Sequence, residues 1–183
     1  MTLSTKSTSR LIFLIALTLI FEMLGLPQPV TGPLVNMMLI LTTLVISTLA
    51  GVSLGFITPV VAAVRGQLPG FLLPMIPFII VSNALLVILF SFIRRLLATW
   101  LRDDNLLLSF PAWLGLFVGA FVKFLVLYHS ARILLPMLIS KNVPEAFIAM
   151  MSLPQLLSAI FGGALALFIF RMLSSRFDKS LQM

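Results

Sequence analysis

The sequence contains no cysteine. Disulfides, thiolate metal sites and a cysteine nucleophile are therefore excluded. Histidine occurs once, as His129, which rules out a histidine-based metal cluster. Charge is scarce: 9% of the 183 residues are Asp, Glu, Lys or Arg, and only 5 of them are acids. Asp103, Asp104 and Asp178 fall in polar segments, apart from Glu22 and Glu145, so no pair of carboxylates is placed for acid–base work. No His-Glu-x-x-His motif, nucleophile elbow or phosphate-cradling loop is recognised. The reading is of a chain that performs no chemistry and needs no cofactor or metal.

What is present is apolar. Hydrophobic residues make up 61% of the chain, against roughly 45–50% in water-soluble domains, where about 25% of residues are charged. A chain of this length cannot hide that much apolar surface from water, so lipid is its expected solvent. The length suits one domain, residues 1–183. The net charge of +7 reports membrane orientation rather than nucleic-acid binding, since no basic patch is interleaved with exposed aromatics. Met1 to Arg10 resembles the opening of a signal peptide, with Lys6 and Arg10 before an apolar run, but no small-x-small cleavage site follows. The expectation is a retained first helix.

A spanning helix needs about 20 apolar residues. Six segments approach this, at about 11–26, 33–50, 52–64, 74–97, 110–135 and 153–173. Pro27-Gln28-Pro29 ends the first, because proline cannot continue the helical ladder. The third is short and contains Pro59, and a broken backbone at membrane depth is tolerated only where protein or a cavity covers it. Polar loops follow at Arg102-Asp103-Asp104-Asn105 and Lys141-Asn142-Val143-Pro144-Glu145. With both termini inside, the inner loops hold Lys6, Arg10, Arg94, Arg95, Arg102, Arg171, Arg176 and Lys179. The outer side holds Arg65, Lys141 and Arg132. The Lys/Arg excess of cytoplasmic loops then predicts an all-α, six-helix bundle with cytoplasmic termini. Gly51/Gly55, Gly115/Gly119 and Ala159/Gly163, each four apart, let helix backbones approach closely. No internal repeat stands out, which argues against a carrier built from inverted halves.

Ionisable groups at membrane depth are costly and therefore informative. Lys123 shares a face with Gly115 and Gly119 and should point into the bundle. Glu22 lies about three turns above Arg10, roughly 18 Å at 1.5 Å per residue, a height similar to that of Lys123. The two can pair across the bundle. Asn36 and Asn83 offer amide donors and acceptors in mid-helix. Gln67 and Gln155 fall near the outer mouth, and Tyr128, His129 and Arg132 near the outer end of the fifth helix. Trp100 and Trp113 read as interface anchors near the inner boundary. For each polar group, interhelical packing or solvation is the alternative to ligand contact.

The stretch from Thr31 to Arg95 carries Gly32-Pro33-Leu34-Val35-Asn36, Gly55-Phe56-Ile57-Thr58-Pro59, Gly66-Gln67-Leu68-Pro69, and Pro74-Met75-Ile76-Pro77-Phe78 with Asn83. In these residues the chain resembles the substrate-binding S-component of energy-coupling-factor (ECF) vitamin transporters. The resemblance implies a multi-pass protein of a prokaryotic cell membrane that captures a vitamin or related micronutrient near its outer side. It implies covering loops at Pro27–Pro33 and Arg65–Leu73. It also implies partners: a transmembrane coupling subunit and two ATPases. One departure concerns docking. Many members carry an Ala-x-x-x-Ala pair on the first helix, where this chain has Ile12, Ala16 and Ile20. The expected substrate-binding residues are Asn36, Asn83, Lys123, Glu22, Gln67, Tyr128 and His129. The rival readings are an independent proton-coupled carrier using Glu22 and Lys123, and a ligand-free membrane assembly protein.

Overall fold

A computed structural model describes residues 5–68, 70–101, 110–139 and 143–180. Arg102-Asp103-Asp104-Asn105, Pro69, Lys141 and Asn142, on which parts of the sequence reading rest, lie outside these residues. The described chain is helical, with no strand among the described residues. The helices are α1 (Thr5–Met23), α2 (Gln28–Val45), α3 (Thr48–Val64), α4 (Ile76–Leu101), α5 (Phe110–His129), α6 (Leu135–Ile139), α7 (Glu145–Met150) and α8 (Leu153–Ser180). A 3₁₀ turn, Gly70–Met75, precedes α4, and a π turn, Ser130–Leu134, joins α5 to α6.

Four helical stretches are long and apolar enough to cross a membrane: Gln28–Val45, Gly70–Trp100, Phe110–Ile139 and Glu145–Ser174. Large apolar side chains such as Leu49, Phe92, Met137 and Phe168 face outward, as expected of a bundle whose solvent is hydrocarbon. Several boundaries differ from those predicted. Pro33 does not start α2 but lies within it, because Pro29 already occupies the first turn, where its missing N–H is not needed. Between the expected loop that ends at Glu145 and the sixth segment stands a short helix, α7.

Close approach at glycine sets the helix pairing. A Cβ on Gly115 would lie 2.8 Å from the Phe90 carbonyl oxygen, and one on Gly119 2.8 Å from that of Leu86, so α4 and α5 run antiparallel with backbones nearly touching. Gly162 receives α2, where a Cβ would stand 2.8 Å from the Met37 nitrogen. Gly55 receives Asn83 of α4, and Gly163 receives Leu116 of α5. The matched pairs place α2, α4 and α8 parallel, with α3 and α5 opposed to them. The main core lies between these helices, built on Met38, Leu39, Leu86, Phe90, Leu116 and Leu167. A second apolar cluster, including Leu72, Met75, Leu127 and Ile148, closes the end where α2, α4 and α8 begin.

The run Gly51-Val52-Ser53-Leu54-Gly55 has the letters of a nucleophile elbow, Gly-x-Ser-x-Gly, although none was recognised in the sequence reading. It lies wholly inside α3. An elbow needs a sharp strand-to-helix turn, so this run is a packing stripe.

Candidate functional site

Pro59 shapes the turn of α3 that faces the bundle interior. It lacks the N–H that would bond to the Gly55 carbonyl one turn back. That carbonyl instead accepts from Asn83 Nδ2 at 3.1 Å. On α2, Asn36 Nδ2 donates to the Gly32 carbonyl at 3.0 Å and to Ser158 Oγ at 3.2 Å. Ser158 Oγ donates in turn to the Gln155 carbonyl at 3.0 Å. Both amide nitrogens are thus occupied, and both amide oxygens turn the other way.

Lys123 is what they turn towards. Its Nζ donates to Asn36 Oδ1 at 2.6 Å and to Asn83 Oδ1 at 2.7 Å. Lys123 is 4% exposed and the two asparagines 2% each. An ammonium has three donors, and these contacts use two. Asn36 lies eight residues into α2 from Gln28, about 12 Å along the axis at 1.5 Å per residue, so the ammonium is held well inside the bundle.

Above this knot is a cavity of about 280 Å³, lined in part by Lys123, Asn36, Asn83, Glu22 and Gln67. That is just below the roughly 300–1,000 Å³ usual for ligand sites. Much of its wall is apolar, including Val35, Leu72, Ile79, Leu127 and Phe147. Glu22 is 3% exposed and Thr58 2%. Glu22 Oε2 and Thr58 Oγ1 are buried with no hydrogen-bond partner among the described residues. Both residues line the cavity. Buried polar atoms are seldom left unpaired.

The roof follows from local rules. At the end of α3, Gly66 adopts φ +78°. Gly66 N–H donates to Ala63 O at 3.0 Å, and Gln67 N–H to Ala62 O at 3.0 Å, the paired bonds of a Schellman ending. The reversal places Gln67 over the cavity, where its Nε2 donates to the Glu22 carbonyl at 2.9 Å. Arg65 Nη1 donates to the same carbonyl. The 3₁₀ turn then brings Phe71 edge-on to Phe147 of α7, ring centroids 6.2 Å apart. The expected cover at Pro27–Pro33 is not a loop, because these residues enter α2, whose first turns supply Gln28, Thr31 and Gly32 to the wall.

The structure gathers Asn36, Asn83, Lys123, Glu22 and Gln67 around one space, and Gln155 joins them. It does not place Tyr128 or His129 there. The cavity face of α5 passes through Lys123 and Leu127, and the next two residues are rotated off it by about 100° and 200°. Tyr128 stacks on Phe124 at 5.9 Å and accepts from Arg132 Nη1 at 2.9 Å. His129 is exposed, its Nδ1 donating to the Leu125 carbonyl at 2.8 Å. The direct Glu22–Lys123 pair also fails to form, since Lys123 donates to the two amides instead. Sequence reasoning passed over α7, Thr58 as a wall residue, and Ser158 as the support of Asn36. No group of three His, Cys, Asp or Glu capable of holding a metal occurs among the described residues. The chain matches no family model, no curated protein sequence and no solved structure.

Proposed function

We propose that this chain is the substrate-binding subunit of an ECF-type importer, capturing a small micronutrient and performing no reaction on it. The observation that carries this reading is the buried Lys123 ammonium. It is fixed by two oriented amides, keeps one donor uncommitted and faces a partly open cavity. A buried cation without an anionic partner is expensive, and an anionic guest relieves that cost. Of the four buried side-chain polar atoms without a partner among the described residues, Glu22 Oε2 and Thr58 Oγ1 belong to residues that line this cavity, and a ligand-free assembly protein gives them no role. The rival proton relay lacks a direct bond between Glu22 and Lys123.

In this reading α1, α2, α3, α4, the stretch from α5 to α6, and α8 cross the cell membrane, with α7 as part of the lid. The cavity end faces outward. Arg10, Arg94, Arg95 and Arg171 then fall at the opposite, cytoplasmic end, in keeping with the cation excess there. The partners are a transmembrane coupling subunit and two ATPases. The test is uptake, by cells expressing the chain, of the small molecule released when the purified protein is denatured. Accumulation should require co-expression of the coupling subunit and ATPases. Uptake by the chain alone, driven by a pH gradient, would favour the proton-coupled carrier.

A further inference from the structure

The cavity is lined by polar groups of opposite kind and by apolar wall. Deep in the bundle, Lys123 holds one free N–H. Nearer the α3–α4 roof, Glu22 Oε2 and Thr58 Oγ1 are buried without partners among the described residues. Glu22 sits one residue from the end of α1, where its carbonyl takes the bonds from Arg65 and Gln67. Leu72 and Phe147 hang from the roof, and Ile79 and Leu127 stand along the sides.

Each simple guest leaves one group unsatisfied. A plain anion would answer Lys123 but leave the Glu22 carboxyl buried and unmet. A plain cation would answer Glu22 and strand the ammonium. A neutral apolar guest would answer neither, and a buried donor or acceptor left unmet costs about 1–3 kcal/mol, more for a charged one. One group is an amine donor and the other a carboxyl beside a hydroxyl, so a guest with an acceptor pole and a donor pole meets both.

Resting on the reading of this cavity as a ligand site, we infer that the guest is a compact amino-carboxylic acid or similar zwitterion with an apolar middle. Its anionic group lies on Lys123, and its ammonium or N–H end reaches Glu22 Oε2 and Thr58 Oγ1. The apolar middle lies against Ile79, Leu127 and Phe147. Recognition is bipolar, so Glu22 sets selectivity between zwitterions and plain acids, while Lys123 is needed for both.

The test uses the full chain purified in detergent, with 4-aminobutanoate, 6-aminohexanoate and 8-aminooctanoate as probes and hexanoate and hexylamine as single-pole controls. At least one amino acid of the series should raise the melting temperature by about 3 °C or more at saturation, and neither control should match it. Glu22→Gln should weaken that amino acid at least tenfold and narrow its advantage over hexanoate. Failure of every amino acid in the series, or hexanoate binding as tightly as 6-aminohexanoate, overturns the inference. Small molecules released from the unliganded preparation on denaturation separate the two levels of failure. Release of a purely anionic or purely cationic compound refutes bipolar recognition but leaves the ligand site standing. Release of nothing, with no probe or control shifting the melt, refutes both.

Discussion

Asn83 bonds to the Gly55 carbonyl at 3.1 Å, the oxygen that Pro59 is unable to reach as a helical donor. A break in one helix thereby fixes the side-chain amide of another, and the amide oxygen is left to hold Lys123 at 2.7 Å. Proline inside α3 is thus part of the site as well as a fault in the helix.

Replacing it should separate stability from binding. In Pro59→Ala the new N–H competes for the Gly55 carbonyl, and a helix-interior proline costs up to about 3 kcal/mol relative to alanine. The melting temperature should stay level or rise. Affinity for the small molecule that co-purifies with the wild type should fall, by roughly tenfold if about 1.4 kcal/mol of amide positioning is lost. Calorimetric titration beside a thermal melt reads both; unchanged affinity would detach Asn83 orientation from binding.

Gly162 and Gly163 should respond differently to the same substitution. A Cβ on Gly162 meets backbone, the Pro33 carbonyl and the Met37 nitrogen, together with Asn36 Cβ. The three atoms nearest a Cβ on Gly163 all belong to the Leu116 side chain. Overpacking of a rigid seam costs about 1–3 kcal/mol, and α2 carries Asn36, so Gly162→Ala should lower both melting temperature and affinity. Gly163→Ala should be milder because a leucine end can rotate away. Equal melts for the two variants would contradict this packing of α2 on α8.

Much of this was legible in the sequence and some was not. The helical, membrane-like character followed from apolar content. The burial of Lys123 followed from the i, i+4, i+8 stripe with Gly115 and Gly119, which the α4 backbone occupies. Tyr128 and His129 have suitable chemistry at a helix end, but helical rotation turns them off the Lys123–Leu127 face. The role of α7 was hidden because six residues between a proline and a Ser-Leu-Pro run read as loop. The link from Asn36 to Ser158 spans 122 positions and depends on α2 and α8 meeting at Gly32 and Gly162, which no local pattern announces.

The roof makes its own prediction. Gly66→Ala forces a side chain into a positive-φ position at about 1–2 kcal/mol and disturbs the turn that presents Gln67 to the Glu22 carbonyl. Faster release of the co-purified small molecule, with a modest drop in melting temperature, is expected. Gly70→Ala is the control, because a Cβ there meets nothing within 4 Å. Its release rate should match the wild type; a wild-type rate for Gly66→Ala as well would show that this turn does not close the cavity.

The most direct measurement is the amount of small molecule carried by purified Lys123→Met beside the wild type, with helical content checked by circular dichroism. The account predicts near-stoichiometric release from the wild type on denaturation and none from the variant, with helicity retained. Equal release from both proteins would contradict it, because the cavity would then hold its guest without the ammonium that Asn36 and Asn83 orient.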